Sequence, residues 1–239
     1  MTPMARTSPM QASESLKSVG IFAGLPVETL KRLQKRCSWR CYEQGEPIID
    51  YLDSSDDVFF IITGETRASI YSYAGKVVSF SDLGPGDTFG EYAAIDGVPR
   101  SASIEARSSC KIASMSGVAF RELIESEPAI ALALLRQAVA KVRTLTTRVY
   151  EFSALAVSNR IQAEVLRLAN SAPRNGGTAH LTTAPTHSDI ASRISTHREA
   201  VTRELNRLAK IGILERRGSG LIVKDIDRLA TMVQEVTGE

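Results

Sequence analysis

Between Trp39 and Ala113 the apolar positions fall in short runs rich in β-branched and aromatic residues, at 47–49, 58–62, 68–71, 77–80 and 111–113. Gly45, Gly64-Glu65, Ala74-Gly75 and Gly84-Pro85-Gly86 punctuate them. Strands at that spacing predict a β-sandwich or jelly roll. Ahead of them, residues 28–36 carry Leu30 and Leu33 among charged side chains and predict a short surface helix. After Pro128 the period changes. Leu135, Ala138, Val142, Leu145, Val149 and Phe152 alternate at three- and four-residue spacing, with no glycine or proline among them. That is the seam of a coiled coil, and a narrow stripe flanked by Arg143, Thr144, Thr146, Thr147 and Arg148 suits a parallel homodimer. Residues 153–158 then form a hinge, a second amphipathic segment begins at Arg160-Ile161, and residues 172–177 read as a loop.

Two more helices are expected in close succession between Thr186 and Lys210. Thr186 with Asp189, and Thr196 with Glu199, have the spacing of capping boxes, leaving Arg193-Ile194-Ser195 as the connection. Two helices around a tight turn predict a helix-turn-helix. On the second helix Val201, Leu205 and Leu208 share one face, so Arg198, Glu199, Thr202, Arg203, Asn206 and Arg207 lie at its start or on the opposite face. Arginine pairs with guanine O6 and N7, and glutamate accepts from cytosine N4. Residues 213–223 read as a β-hairpin wing whose Arg216 and Arg217 can meet phosphate.

The densest chemistry lies at residues 84–106, GPGDTFGEYAAIDGVPRSASIEA. Gly84, Gly86 and Gly90 alternate with turn formers, and a helix beginning at Glu91 would point free N–H groups at an anion. Arg100 can grip a phosphate with two N–H bonds, Ser101 can donate a third, and Glu91 can accept from a ribose hydroxyl. That division of labour suits a cyclic nucleotide.

Composition narrows the picture. A chain of 239 residues, 43% hydrophobic and 23% charged, is long enough for two globular domains. Residues 16–127 hold 12 basic and 16 acidic side chains, whereas residues 158–239 hold 12 and 9, which makes the C-terminal part the polyanion binder. Three scattered cysteines build no disulfide framework, and no apolar run approaches the ~20 residues of a membrane span. A cytoplasmic protein with no membrane or metal partner is expected. An enzyme that hydrolyses cyclic nucleotides would need a metal cluster or an activated nucleophile near the cradle, where no histidine stands. A nucleotide-binding regulatory subunit would not need the helix-turn-helix.

Phe89-Gly90-Glu91 and Arg100-Ser101-Ala102, with Gly86-Asp87 before them, resemble the phosphate-binding cassette of the CRP/FNR family of bacterial transcription regulators, and residues 196–203, THREAVTR, resemble that family's recognition helix. The resemblance covers residues 20–228. It implies an α+β chain: an N-terminal β-roll (double-stranded jelly roll) that binds a cyclic nucleotide, a long dimerisation helix and a C-terminal winged helix-turn-helix. The implied boundaries are a tail at 1–15, the roll at 16–127, the dimer helix and hinge at 128–157, and the DNA-binding domain at 158–239. By the same resemblance Gly90, Glu91, Arg100 and Ser101 hold cAMP or cGMP, and Thr146 and Thr147 reach the purine. Arg198, Glu199 and Arg203 read a half-site, with Thr202, Asn206, Arg216 and Arg217 completing the DNA surface. The implied partners are a second copy of the chain, palindromic double-stranded DNA and RNA polymerase. The nucleotide would set the two recognition helices about one DNA turn (~34 Å) apart. Two departures stand out: residues 95–99 differ from the enterobacterial cyclic AMP receptor in length and content, and Leu145 takes the place of a hydroxyl residue. The cysteine cluster that holds iron and sulfur in the FNR branch is missing, which leaves a family member answering another signal, such as redox, nitric oxide or a dinucleotide, as the alternative.

Overall fold

A computed structural model describes residues 16–71, 77–181, 184–218 and 220–237. The expected N-terminal tail, the Ala74-Gly75 turn and Ser219 of the wing lie outside the described residues. The chain divides into two compact units, residues 1–140 and 141–239.

Among the described residues of the first unit, eight strands form two antiparallel four-stranded sheets. One sheet joins β1 (Ser38–Tyr42), β8 (Cys110–Met115), β3 (Val58–Thr63) and β6 (Thr88–Phe89), in that order. The other joins β2 (Pro47–Ile49), β7 (Ser103–Ala106), β4 (Thr66–Tyr71) and β5 (Val77–Leu83). The runs at 58–62, 68–71 and 77–80 are borne out as parts of β3, β4 and β5, and 47–49 as β2. Strand β3 is buried on both faces, which explains its unbroken apolar run. Val58, Phe60 and Ile62 join a core with Leu30 and Leu33 of α1 (Val27–Arg36), Phe120 and Leu123 of α3 (Gly117–Ser126), and Ile130 and Leu134 of α4 (Pro128–Ala154). Phe59 and Ile61 point the other way, to a core inside the roll with Phe89, Ile104 and Ile112. This period of two places Phe59 against Phe89, the rings stacked at 5.0 Å, directly before Gly90.

Helix α4 is continuous across the boundary between the units. Its apolar stripe is exposed: Leu135, Val142, Leu145, Val149 and Phe152 are all well open to solvent, Val142 at 61% and Val149 at 64%. After Leu155-Ala156 the second unit begins its own core. Ile161, Val165 and Ala169 of α5 (Val157–Ser171) pack with Ile190 of α6 (His187–Arg193), Val201, Leu205 and Leu208 of α7 (Arg198–Lys210), and Leu229 of α8 (Ile226–Thr237). A four-stranded antiparallel sheet, in the order β11 (Leu214–Arg217), β12 (Gly220–Val223), β10 (Thr178–Leu181), β9 (Arg174–Asn175), supplies Ala179, Leu181, Leu221 and Val223 to the same core. The expected loop at 172–177 therefore contains a strand, β9, which pairs with β10 around Gly176 in the left-handed region.

Candidate functional site

In the first unit Gly90 is the residue before α2 (Glu91–Asp96), with φ 83°. A Cβ built there would stand 2.7 Å from the Asp57 carbonyl oxygen and 2.8 Å from Arg100 Nη1, so backbone and arginine approach each other only because the side chain is missing. Glu91, the first residue of α2, is buried at 7%, and Ser101 is exposed.

Arg100 is 2% exposed and is held from several sides. Its backbone N–H donates to the Asp53 carbonyl (2.9 Å) and its carbonyl accepts from Leu52 N–H (3.0 Å). Its Nε donates to Ser55 Oγ (3.1 Å), Nη1 to the Gly90 carbonyl (2.9 Å) and Nη2 to the Asp57 carbonyl (2.8 Å), while the guanidinium lies over the Phe59 ring at 5.8 Å. All three hydrogen-bond partners are neutral oxygens. Burial pushes this guanidinium below its ordinary range, and the carboxylates of Asp57, Asp53, Asp56 and Glu91 oppose that through space. The expectation of two N–H bonds aimed at an outside anion thus meets a side chain already bonded inward, with two of its five N–H groups left over. Ser55, Asp57 and Phe59 are the residues that sequence reasoning missed. They bond through a hydroxyl, a backbone carbonyl and a ring, none of which leaves a periodic signal; only the polar run DSSDD at 53–57 marks the loop.

On α4, Thr146 Oγ donates to the Val142 carbonyl (3.0 Å) and Thr147 Oγ to the Arg143 carbonyl (3.2 Å). Both hydroxyls are exposed and remain open as acceptors.

The second unit holds the helix-turn-helix. The capping box at Thr186-Asp189 is formed. The one expected at Thr196-Glu199 is not: α7 starts one residue later than a Thr196 cap requires, at Arg198, its preceding residue His197 makes no side-chain cap, and Glu199 stands exposed in the first turn. The reason lies in the turn, where Ser195 takes the left-handed conformation (φ 50°) and Thr196 N–H bonds back to the Ala191 carbonyl (2.9 Å). Arg198, Glu199, Arg203 and Asn206 of α7 are exposed, Thr202 is half-buried, and Arg216 and Arg217 are exposed on β11. Arg207 is exposed as expected, and it also bonds the buried Glu204 twice, at 2.9 and 2.7 Å.

Behind the recognition helix sits a charged hub. Glu164 of α5, 2% exposed, accepts from Arg167 Nε (3.0 Å) and Arg193 Nη1 (3.1 Å), and lies 3.9 Å from Arg148 Nη2. Arg167 also grips Glu151 of α4 with two bonds, at 2.6 and 3.1 Å. Burial would raise the Glu164 carboxyl, but Arg167, Arg193 and Arg148 together hold it below the usual carboxylate range. Among the described residues no group of three or more His, Cys, Asp or Glu is gathered to hold a metal ion, and no helix is long and apolar enough to cross a membrane. Burial pushes the Cys37 thiol up to about 12 against the opposing charge of Arg36, which keeps it protonated and unreactive.

A β-roll with an arginine at a glycine-opened helix start, followed by a winged helix-turn-helix, is the architecture of a DNA-binding transcription regulator. The comparisons agree. The profile of the cyclic nucleotide-binding domain matches residues 39–127, and that of the Crp-like helix-turn-helix domain matches residues 159–232. A CRP-like cAMP-activated global transcriptional regulator of Mycobacterium tuberculosis is 26% identical over 218 residues, covering 91% of this chain and 97% of the relative. Among solved structures, a CooA mutant from Carboxydothermus hydrogenoformans superposes with a TM-score of 0.75 at 20% identity, over 87% of this chain and 94% of that one. The c-di-GMP responsive global regulator CLP of Xanthomonas campestris gives 0.70 at 19%, over 83% and 99%. The chain belongs to the CRP/FNR family of transcription regulators.

Proposed function

We propose that this regulator works as a homodimer whose DNA binding is controlled by a cyclic nucleotide, cAMP or cGMP, with Gly90, Glu91, Arg100 and Ser101 as the phosphate and ribose ligands. The observation that carries the proposal is the state of Arg100: a buried cation whose contacts are all neutral oxygens. A buried charge is costly until an opposite charge meets it, and a phosphate bonds a guanidinium about twice as strongly as a carbonyl does. The exposed stripe of α4 supports the dimer, since five large apolar side chains in one line need a cover. Thr146 and Thr147 are offered as acceptors for a purine amino group. Arg198, Glu199 and Arg203, with Thr202, Asn206, Arg216 and Arg217, are offered as the DNA-reading set, and palindromic DNA and RNA polymerase as the partners.

A second reading is that a larger anion, such as a cyclic dinucleotide, is the signal. The CLP regulator of Xanthomonas campestris, similar in fold, is c-di-GMP responsive, and that favours it. Calorimetric titration of the purified protein with cAMP, cGMP and c-di-GMP tests both. Micromolar binding of a mononucleotide that Arg100→Lys weakens at least tenfold supports the first reading. Binding of c-di-GMP alone supports the second, and no heat and no shift in melting temperature with any of the three refutes a nucleotide signal.

A further inference from the structure

His187, the first residue of α6, was not among the DNA-reading residues expected from sequence, yet it is tied to the recognition helix. Its Nδ1 lies 2.7 Å from Thr202 Oγ1 of α7. Thr202 donates its one hydroxyl hydrogen to the Arg198 carbonyl at 3.0 Å. Toward His187 the hydroxyl is therefore the acceptor, and Nδ1 carries the hydrogen. The neutral ring must then keep its lone pair on Nε2. In that state Nε2 repels a phosphate, and one added proton turns it into a charged donor.

Two charges act on this ring, Arg216 from β11 and Arg198 from α7. On its own helix Asp189 directs Oδ2 to the backbone and hydroxyl of Thr186. Three elements thus bring an imidazole and two guanidiniums together on the side of the domain that carries the DNA-reading arginines. Burial, then Arg216 and Arg198, hold the imidazole below its ordinary range, so the free protein carries it neutral near pH 7.5. A DNA phosphate reverses the balance by screening both arginines and favouring the imidazolium.

We infer that His187 is a proton-coupled phosphate contact: when a DNA phosphate docks among His187, Arg198 and Arg216, one proton moves from a buffer acid onto Nε2, and the imidazolium donates to the phosphate. The charged form binds tighter, so affinity rises as pH falls through the raised pKa of the complex. The gain stops once the free protein is protonated as well, and its slope is at most about tenfold per pH unit for one proton. The inference rests on DNA binding alone and stands apart from the identity of the effector.

The test uses the full chain and a fluorescein-labelled duplex that the wild-type protein selects from a random-sequence pool. Anisotropy gives Kd from pH 5.5 to 8.5 at constant ionic strength. The expected result is a wild-type Kd that falls several-fold per unit below pH 7.5. His187→Gln, which keeps a donor toward Thr202 but cannot charge, should give a flat profile at the weak, high-pH value, and His187→Lys a flat, tight one. Calorimetry of the wild type in two buffers of different ionisation enthalpy should show uptake of up to one proton, which needs no variant to fold. Absence of proton uptake would overturn the inference. So would an undiminished slope in His187→Gln, or loss of the slope in His197→Gln instead.

Discussion

Replacing Glu164 with alanine should destabilise the DNA-binding unit selectively, and the size of the effect follows from the hub. The change removes an acceptor from Arg167 and Arg193 and the nearby charge from Arg148, whose Nε is already buried without a hydrogen-bond partner. Breaking a buried ion pair from one side costs ~3–5 kcal/mol. Arg167 retains both bonds to Glu151, and its side chain is 32% exposed, so part of the charge can return to water. We expect a loss of ~2–3 kcal/mol, a large part of the ~5–15 kcal/mol that holds a domain together. The single tryptophan, Trp39, lies in β1 of the roll and reports on that unit alone, whereas helical circular dichroism follows both. With a urea slope of ~1–3 kcal/mol per molar, the dichroism transition should begin ~1–2 M earlier while the Trp39 transition stays in place. Acid supplies the sign. Glu164 has a depressed pKa in the fold, so its contribution is complete above the unfolded value of ~4.3 and is lost as pH falls through the folded one. The difference between wild type and variant should therefore be full at pH 7 and shrink below about pH 4. An unchanged midpoint at pH 7, or equal shifts in both signals, would refute the assignment of Glu164 as the hub.

Gly90→Ala forces an L residue to φ 83° and a Cβ to within 2.8 Å of Arg100 Nη1, at a conformational cost alone of ~1–2 kcal/mol. The Trp39 transition should weaken and nucleotide affinity fall at least tenfold by calorimetry; full affinity would show that the close approach is unimportant. On the proposed dimer, Val142→Glu sets a carboxylate in the middle of the exposed α4 stripe, and light scattering at micromolar concentration should find a dimer for the wild type and a monomer for the variant. A dimer that survives the change would move the interface elsewhere.

Much of this architecture was legible because burial leaves a period. Val58 to Ile62 faces two cores at once and reads as an unbroken apolar run, and the α4 seam keeps its spacing because a continuous helix presents it on one side. What escaped was held by short or non-periodic means. Strand β6 has two residues, β9 likewise, and β7 mixes Ser103 and Glu105 with its apolar positions. Helix α7 begins at Arg198 rather than after a Thr196 cap because a left-handed Ser195 carries the turn further, and both starts fit the same residues. Gly90 and Arg100, expected from sequence to converge, do meet, since Arg100 Nη1 donates to the Gly90 carbonyl. The inward turn of Arg100 could not be read, because backbone carbonyls have no letter in a sequence.

On the proposed reading, the difference between the surroundings of Arg100 and those of Glu164 is what suits the first, and not the second, to sensing an anion. Around Glu164 the guanidiniums meet carboxylates at 3.0 and 3.1 Å, so an incoming anion would have to displace charge-assisted bonds of its own kind. Around Arg100 the bonds go to a hydroxyl and two carbonyls, each weaker than a bond to phosphate, and four carboxylates act only through space. A phosphate can therefore win Arg100 from Ser55, Gly90 and Asp57. Doing so frees the Ser55 hydroxyl and the Gly90 and Asp57 carbonyls, while the backbone bond from Arg100 N–H to the Asp53 carbonyl stays. On the proposed reading, ligand entry breaks the bonds of Arg100 to Ser55, Gly90 and Asp57, so the 53–57 loop and the start of α2 should respond together.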